Sequence, residues 1–269
     1  MNPILLAVLC VGGIGLVAGL LLAVFSIVMA VPKDEKAEEI TECLPGANCG
    51  SCGYSGCAGY AAALSEGKTT NTALCNPGGA EVSKKIAQIM GLEAGEVKPM
   101  AAVVLCQGYN DTAVRKMNYI GVDSCRMAQQ LYGGEKECIF GCLGLGDCVK
   151  VCPFDAIHIC DGIARINPLA CRACKKCVAT CPKKIIELLP LHETKAAVLC
   201  KNHDKGVIAR KECSKACIGC MKCVKICEYG AVSVDNFAAH VDYDKCVGCG
   251  KCHEACPVKC IDLVNLAGN

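Results

Sequence analysis

The sequence predicts an α+β protein in which an apolar N-terminal helix precedes a small cysteine-rich domain and two repeated cysteine-rich modules. Two observations lead to this prediction: an uncharged apolar run near the N-terminus, and 28 cysteines in a chain of 269 residues, most of them in tight groups. The hydrophobic content of 53% excludes a disordered chain, and the length excludes a small secreted disulfide scaffold. A net charge of +2 gives no basis for nucleic acid binding.

The apolar run covers residues 4–31 and contains no charged side chain. A membrane-spanning helix needs about 20 apolar residues, so the run predicts a single transmembrane helix. A cleaved signal peptide is the competing interpretation, but no basic residue precedes the run and the run is too long for one. Lys33 and Lys36, directly after the run, favour the cytoplasmic side for the rest of the chain.

Cysteine spacing separates disulfide frameworks from metal sites, because metal ligands bunch at gaps of two or three residues. Here 20 cysteines fall into five such groups. Metal ligation requires free thiolates and therefore a reducing compartment, which agrees with the cytoplasmic side. On this basis we divide the chain into a transmembrane anchor (1–32), a four-cysteine domain (33–90), an α/β connector (91–137), a first module (138–190), a second connector (191–212) and a second module (213–269).

The first group has the spacing C-x2-C-x4-C-x17-C and is formed by Cys49, Cys52, Cys57 and Cys75. Glycines beside these cysteines allow backbone N–H groups to approach inorganic sulfur, which favours a [4Fe-4S] cluster. Zinc is the alternative metal, since C-x2-C also occurs in zinc knuckles. The stretch 58–65 predicts a short helix that returns the chain toward Cys75.

The other four groups are paired runs of four cysteines that follow, with some departures, the pattern C-x2-C-x2-C-x3-C-P. This pattern is the signature of bacterial two-cluster ferredoxins, in which the last cysteine of each run ligates the other cluster of the pair. The runs therefore predict two ferredoxin modules with four further [4Fe-4S] sites: Cys138, Cys142, Cys148 with Cys181; Cys171, Cys174, Cys177 with Cys152; Cys217, Cys220, Cys223 with Cys256; and Cys246, Cys249, Cys252 with Cys227. The gaps after Cys138 and Cys142 are irregular.

A predicted β-hairpin follows the first run of each module. Residues 156–166 contain Asp161-Gly162, a type I′ turn signal, and residues 231–236 place the second turn at Asp235-Asn236.

Eight cysteines remain outside the five groups: Cys10, Cys43, Cys106, Cys125, Cys160, Cys200, Cys213 and Cys260. Cys160 and Cys260 are expected in the core, and Cys43 is an alternative ligand of the first group. Residues 101–106 and 196–200 resemble each other. Each is followed by a basic stretch of helical character, Arg115-Lys116 or Arg210-Lys211, and then by Cys125 or Cys213. Two interpretations of Cys106, Cys125, Cys200 and Cys213 stay open: free buried thiols, which we favour, and four extra ligands for a sixth cluster.

The order of these features resembles a known family. The apolar run, the motif Leu-Pro-Gly-Ala-Asn-Cys-Gly-Ser-Cys-Gly-Tyr-Ser-Gly-Cys at 44–57 and the doubled ferredoxin modules are similar to the B subunits of Rnf complexes of the clostridial type. These complexes are ion-translocating ferredoxin:NAD oxidoreductases of bacterial membranes. The resemblance maps the family's four-cysteine cluster onto Cys49, Cys52, Cys57 and Cys75.

The resemblance also implies a role. The subunit would accept electrons from soluble ferredoxin and pass them to membrane and NAD-binding subunits, coupled to Na⁺ or H⁺ movement. It would be a single-pass protein of the bacterial cytoplasmic membrane, with its clusters on the cytoplasmic side. Surface lysines of the first module are candidates to attract an acidic ferredoxin; they are Lys175, Lys176, Lys183 and Lys184.

The sequence shows neither a nucleophile–base arrangement nor a flavin or nicotinamide site, so we predict no catalytic residues and no complete active site on this chain. The alternative functions are a ferredoxin-like subunit of a membrane hydrogenase or formate dehydrogenase, a corrinoid-linked iron–sulfur protein and a structural zinc-binding scaffold.

Overall fold

The computed structural model describes residues 3–28, 34–190 and 193–265. The first element is helix α1 (Pro3–Val28). Within the part of the chain whose side chains are described, we find no helix that is both long and apolar enough to cross a membrane. The transmembrane span predicted for 4–31 is therefore not confirmed and stays a prediction, and its last residues, 29–31, lie outside the described part.

The four-cysteine domain is a small helical unit built from α2 (Glu35–Cys43), α3 (Cys57–Ser65), a 3₁₀ turn (Asn76–Gly78) and α4 (Gly79–Met90). The Asp34 carboxylate begins α2 by accepting the backbone N–H groups of Lys36 and Ala37, which have no partner inside the helix. The core is formed by side chains that solvent barely reaches: Ile40, Tyr60, Leu64 and Ile86. The helix predicted for 58–65 is confirmed as α3.

The remaining chain contains short helices and strands that repeat in order. The first half contains β1 (Met100–Val104), α5 (Cys125–Gln130), α6 (Asp147–Lys150), β2 (Ile157–Cys160), β3 (Ile163–Ile166), α7 (Lys176–Thr180) and β4 (Ile186–Pro190). The second contains β5 (Lys195–Val198), α8 (Gly206–Glu212), α9 (Lys222–Ile226), β6 (Val232–Asp235), β7 (Ala238–Val241), α10 (Lys251–Ala255) and β8 (Ile261–Val264).

Within the described ranges, the strands form four two-stranded antiparallel sheets. The hairpins β2–β3 and β6–β7 follow the first cysteine run of each module, as predicted. The other two sheets pair the strand before a module with its last strand: β1 with β4, and β5 with β8. The stretches that we took as connectors thus complete the sheets of the modules.

The two hairpin turns differ in how well the sequence predicts them. Asp161 and Gly162 have φ values of +48° and +78°, which confirms the type I′ turn. In the second hairpin the prediction is wrong by one residue, since Asp235 pairs with Ala238 and the turn falls on Asn236 and Phe237. Phenylalanine rarely adopts a positive φ, so no turn signal in the sequence marks this position.

The two basic stretches that were predicted to be helical also differ in backbone conformation. Arg210 lies in α8, as predicted, but Arg115 lies in extended chain and not in a helix. Backbone bonds explain the difference: the Val114 N–H donates to the Glu212 carbonyl, and its own carbonyl accepts the N–H of Glu137. The segment is therefore held between two neighbouring chain segments, and these bonds replace those of a helix.

The core of each module is made of small aliphatic side chains. The position four residues after the last cysteine of each run is buried in all four cases, and it is occupied by Ala156, Ile185, Ala231 and Cys260. This confirms Cys260 as a core position. Cys160, in contrast, is exposed at the end of β2, so the prediction that it lies in the core is wrong.

Two glycines in one loop test how closely this loop packs against the β2–β3 turn. Gly144 and Gly146 both have positive φ, +73° and +77°. A Cβ on Gly144 would lie 2.5 Å from the backbone oxygen of Gly162, whereas a Cβ on Gly146 would meet nothing closer than 3.9 Å. We expect Gly146→Ala to cost about 1–2 kcal/mol for the left-handed backbone alone, and Gly144→Ala to cost about 1–3 kcal/mol more from the clash.

The measurement is thermal unfolding of the anaerobically purified proteins, followed by circular dichroism. Equal stability of the two variants would contradict the close approach of the loop to the β2–β3 turn.

Candidate iron–sulfur sites

The four cysteines of the first motif lie near one another. Cys75 is buried, and burial raises the pKa of its thiol to about 11, with smaller contributions from the nearby Cys57, Cys49 and Cys52. The motif loop is fixed by Asn48, whose side-chain oxygen accepts the Cys57 N–H at 2.9 Å. These four thiols therefore form one set with the composition that a [4Fe-4S] cluster requires.

This domain packs directly on the first ferredoxin module. The Ser51 hydroxyl donates to the Ala173 carbonyl at 3.4 Å, and the Lys175 ammonium donates to the Ser51 carbonyl at 3.5 Å. Cys174 is close enough to Cys49 for the charge of Cys49 to raise the pKa of the Cys174 thiol, although burial is the larger cause. The first thiol set thus borders the second.

In the first module, one complete predicted set lines a single cavity; it consists of Cys152, Cys171, Cys174 and Cys177. The backbone N–H of Ala102, in β1, donates to the Cys171 sulfur at 3.4 Å. Hydrogen bonds of this kind stabilise thiolate sulfur and help to set cluster potentials. Cys152 joins the three cysteines of the other run in this cavity, as the ferredoxin pattern requires.

In the second module, the predicted set Cys217, Cys220, Cys223 and Cys256 lines another cavity, which also contains Cys260. The sulfur atoms of Cys256 and Cys260 are 3.6 Å apart. The hydrogen bond between these two thiols lowers the pKa of Cys256 to about 5.

The cysteines of the last predicted set belong to the core of the second module. Cys246 and Cys249 are close enough to Cys252 to raise the pKa of its thiol, with burial as the larger cause. Cys227 packs against the same core cluster as Cys246 and Cys252.

The remaining predicted set differs in the structure. Cys142, Cys148 and Cys181 line a cavity together with Cys125, and Cys138 is not among its lining residues. Cys138 instead lines a second cavity with Cys106, Cys200 and Cys213. The structure therefore exchanges Cys125 and Cys138 between the two sets that we predicted.

A comparison of spacing between the modules would have revealed this exchange. Cys142 and Cys148 are separated by the same six positions as Cys217 and Cys223, and Cys138 precedes Cys142 by four residues, as Cys213 precedes Cys217. Cys138 is thus the counterpart of Cys213 and lies outside the run. Leu145 occupies the place of Cys220, so the first run lacks one ligand.

The ligands of a single metal ion converge more closely than the thiols of a [4Fe-4S] site do. Among the described residues, no group of three or more His, Cys, Asp or Glu side chains converges closely enough to hold one ion. In a [4Fe-4S] cluster each of the four thiolates ligates its own iron, so the sulfurs surround a larger centre.

Comparison with known proteins identifies iron–sulfur families along the chain. Three family models match: "Putative Fe-S cluster" at 44–77, "4Fe-4S binding domain" at 168–184 and "4Fe-4S dicluster domain" at 209–263. The chain is 44% identical over 246 residues to the B subunit of the Na(+)-translocating ferredoxin:NAD(+) oxidoreductase complex of Acetobacterium woodii, covering 91% of this chain and 73% of that protein. The chain belongs to this family of B subunits.

Two further relatives support the assignment. The B subunit of the ion-translocating oxidoreductase complex of Methanosarcina acetivorans is 38% identical, over 93% of this chain and 95% of that protein. The B subunit of the proton-translocating ferredoxin:NAD(+) oxidoreductase complex of Clostridium ljungdahlii is 36% identical, over 90% and 85%. The predicted resemblance to Rnf B subunits is confirmed, and it is favoured over the hydrogenase, formate dehydrogenase, corrinoid and zinc-scaffold alternatives.

Cys260 offers a test of how this member of the family adjusts one site. Its sulfur lies 3.6 Å from that of the predicted ligand Cys256, and a hydrogen bond donated by the Cys260 thiol stabilises the more negative, reduced form of a cluster. We expect Cys260→Ala to keep the iron content but to lower the midpoint potential of one cluster. Alanine is tolerated structurally, since Ala156 and Ala231 occupy the equivalent buried positions.

The measurement is an EPR-monitored redox titration, with Cys160→Ala as the control in which no potential shifts. Loss of about four iron from Cys260→Ala would instead make Cys260 a ligand.

Proposed function

We propose that this protein is the membrane-anchored electron-transfer subunit of an ion-translocating ferredoxin:NAD oxidoreductase. It would take electrons from reduced ferredoxin and deliver them to a membrane complex that reduces NAD and moves Na⁺ or H⁺. The observation that carries the proposal is the contact between successive cysteine sets. When bound, [4Fe-4S] clusters supply single-electron transfer over short distances.

The cysteine sets follow one another from the N-terminal domain into the first module. Cys49 borders Cys174 across the domain contact, and Cys148 lies near Cys177 inside the module. The chain therefore holds three neighbouring sets in sequence. This arrangement fits a relay.

The second module is the best candidate to receive electrons from a soluble partner. Among the predicted ligands that the structure describes, only Cys220 and Cys249 are exposed, and both belong to this module. Met221 and Val247 next to them are also exposed apolar side chains, as is usual at a docking surface. A partner bound here would come close to two thiol sets at once.

Charge at this surface suits an acidic ferredoxin. Lys222 and Lys225 of α9 are exposed, and neither forms an ion pair with the described residues. On the first module, Lys183 is not free to attract a partner, because its ammonium bonds to the carbonyls of Gly133 and Ile139. We therefore place ferredoxin docking on the second module rather than the first.

The expected effect of charge reversal tests this placement. Lys222→Glu with Lys225→Glu should slow reduction of the chain by a reduced two-cluster bacterial ferredoxin about tenfold or more at low salt, and the difference should shrink at high salt. The measurement is stopped-flow absorbance under anaerobic conditions. The matched control is Lys184→Glu, an exposed lysine of the first module.

Unchanged rates and salt dependence for the double variant would contradict docking at α9. A rate loss confined to the Lys184 variant would move the docking site to the first module.

Helix α1 supports membrane anchoring. It has 26 residues without a charge, and its side chains from 11 to 26 are all exposed. Exposed apolar surface of this extent on one element requires cover by lipid or protein.

Deletion of residues 1–33 tests the anchor. We expect the shortened chain to appear in the soluble fraction with its iron content intact, while the full chain stays in membranes washed with alkaline carbonate. Retention of the shortened chain in washed membranes would show that other parts of the chain, or other proteins of the complex, hold it there.

A further inference from the structure

Four cysteines outside the regular ligand runs converge between the two modules: Cys106, Cys138, Cys200 and Cys213. Two copies of one pattern supply them. Cys106 and Cys200 follow the equivalent strands β1 and β5, and Cys138 and Cys213 each precede a ferredoxin run by four residues. The site therefore has an approximate twofold arrangement, with two ligands from each half of the repeat.

Backbone donors point at the sulfurs of this set in the same way on both sides. The Cys106 sulfur accepts the N–H groups of Gly108 and Cys142, both at 3.3 Å. The Cys200 sulfur accepts the N–H of Cys217 at 3.2 Å. Several N–H donors to one sulfur stabilise a thiolate ligand, whereas a free buried thiol requires none.

A buried cation provides a second, independent observation. Lys136 lines this cavity, is only 2% exposed, and donates to the carbonyls of Gly108 at 2.7 Å and Gly162 at 2.8 Å. Among the described residues, no carboxylate forms an ion pair with it. A buried ammonium without an anion is strongly unfavourable. A cluster with four thiolates carries about −2 charges when oxidised and would provide the missing anion.

We propose that Cys106, Cys138, Cys200 and Cys213 hold a sixth [4Fe-4S] cluster, which bridges the two ferredoxin modules. In the same proposal, Cys125 replaces Cys138 as the ligand that acts with Cys142, Cys148 and Cys181. Cys125 is suited to this role because α5 places it, buried, against Leu145. Leu145 occupies the position of the ligand that the first run lacks.

The bridging site joins the two modules through the ligands themselves. Cys142 belongs to the first module's site through its sulfur and to the bridging site through its N–H bond to Cys106. Cys217 has the same double role toward Cys200 in the second module. The role of the bridging site as a link in the relay rests on the proposed function, but its ligand assignment does not.

Iron and acid-labile sulfide per chain test the assignment on the full, anaerobically purified protein. We expect about 24 iron for six clusters, and about 20 would overturn the proposal. Two double variants then distinguish the pairings. Cys138→Ala with Cys213→Ala removes two ligands of one cluster and should lose about four iron, whereas Cys125→Ala with Cys213→Ala removes ligands of two clusters and should lose about eight.

The opposite result, about eight iron lost from the first double variant and about four from the second, would restore the pairing predicted from sequence and overturn ours. The control is Cys160→Ala, which should lose none. EPR spin quantification of the reduced proteins separates a cluster that is lost from one converted to a three-iron form. The iron content of the wild-type protein decides the number of clusters even where a double variant fails to fold.

A final measurement separates this proposal from the proposed function. After rapid reduction by ferredoxin, freeze-quench EPR of Cys213→Ala should show reduced clusters in the second module and none in the four-cysteine domain. If ferredoxin reduces neither protein, the ferredoxin role fails while the iron counts still decide the ligands. Reduction of the four-cysteine domain at the wild-type rate would overturn the bridging role.

Discussion

The burial of anionic iron–sulfur sites is the constraint on which the rest of this structure depends. A chain without tryptophan and with 4% aromatic residues has few large side chains to fill a core. Short loops instead bring thiols together, and backbone N–H groups point at their sulfurs. Two buried lysines lie near the thiols. Lys136 lines the cavity of the bridging set, and Lys195, which pairs with Glu193, also donates to the backbone oxygen of Cys246 at 2.6 Å. Both are far more buried than lysines usually are.

The two halves of the ferredoxin region extend the repeat beyond the cysteine runs. Strands β1 and β5 each pair with the last strand of the following module and then end near a cysteine of the bridging set. The same strand therefore closes the sheet of one module and positions a sulfur between modules. This double use explains why the cysteines of the connectors are as regularly placed as those of the runs. In our proposal, the connectors therefore supply cluster ligands as well as strands.

The regular parts of the molecule were predictable because local spacing determines them. Helix α3, the hairpin turn at Asp161 and the ligand sets with regular gaps follow from motifs whose residues are close in sequence. The correct place of Cys138 is encoded in the sequence, because its spacing from Cys142 matches that of Cys213 from Cys217. The place of Cys125 is not, because it depends on a contact between distant segments. The extended path around Arg115 was missed for the same reason: its partners, Glu212 and Glu137, belong to other segments.

Exposure of the thiols distinguishes the second module as the point of access to the relay that we propose. Exposed ligands occur only in the second module among the described cysteines of the six sets, and the bridging set is buried or half-buried. Cluster potentials depend on exposure and on hydrogen bonds to sulfur, so these sites have different electronic environments. A partner gains access at the second module, while the four-cysteine domain follows α1 directly in the chain. Electrons entering from a soluble donor would therefore pass through the protected bridging site before they reach the membrane side.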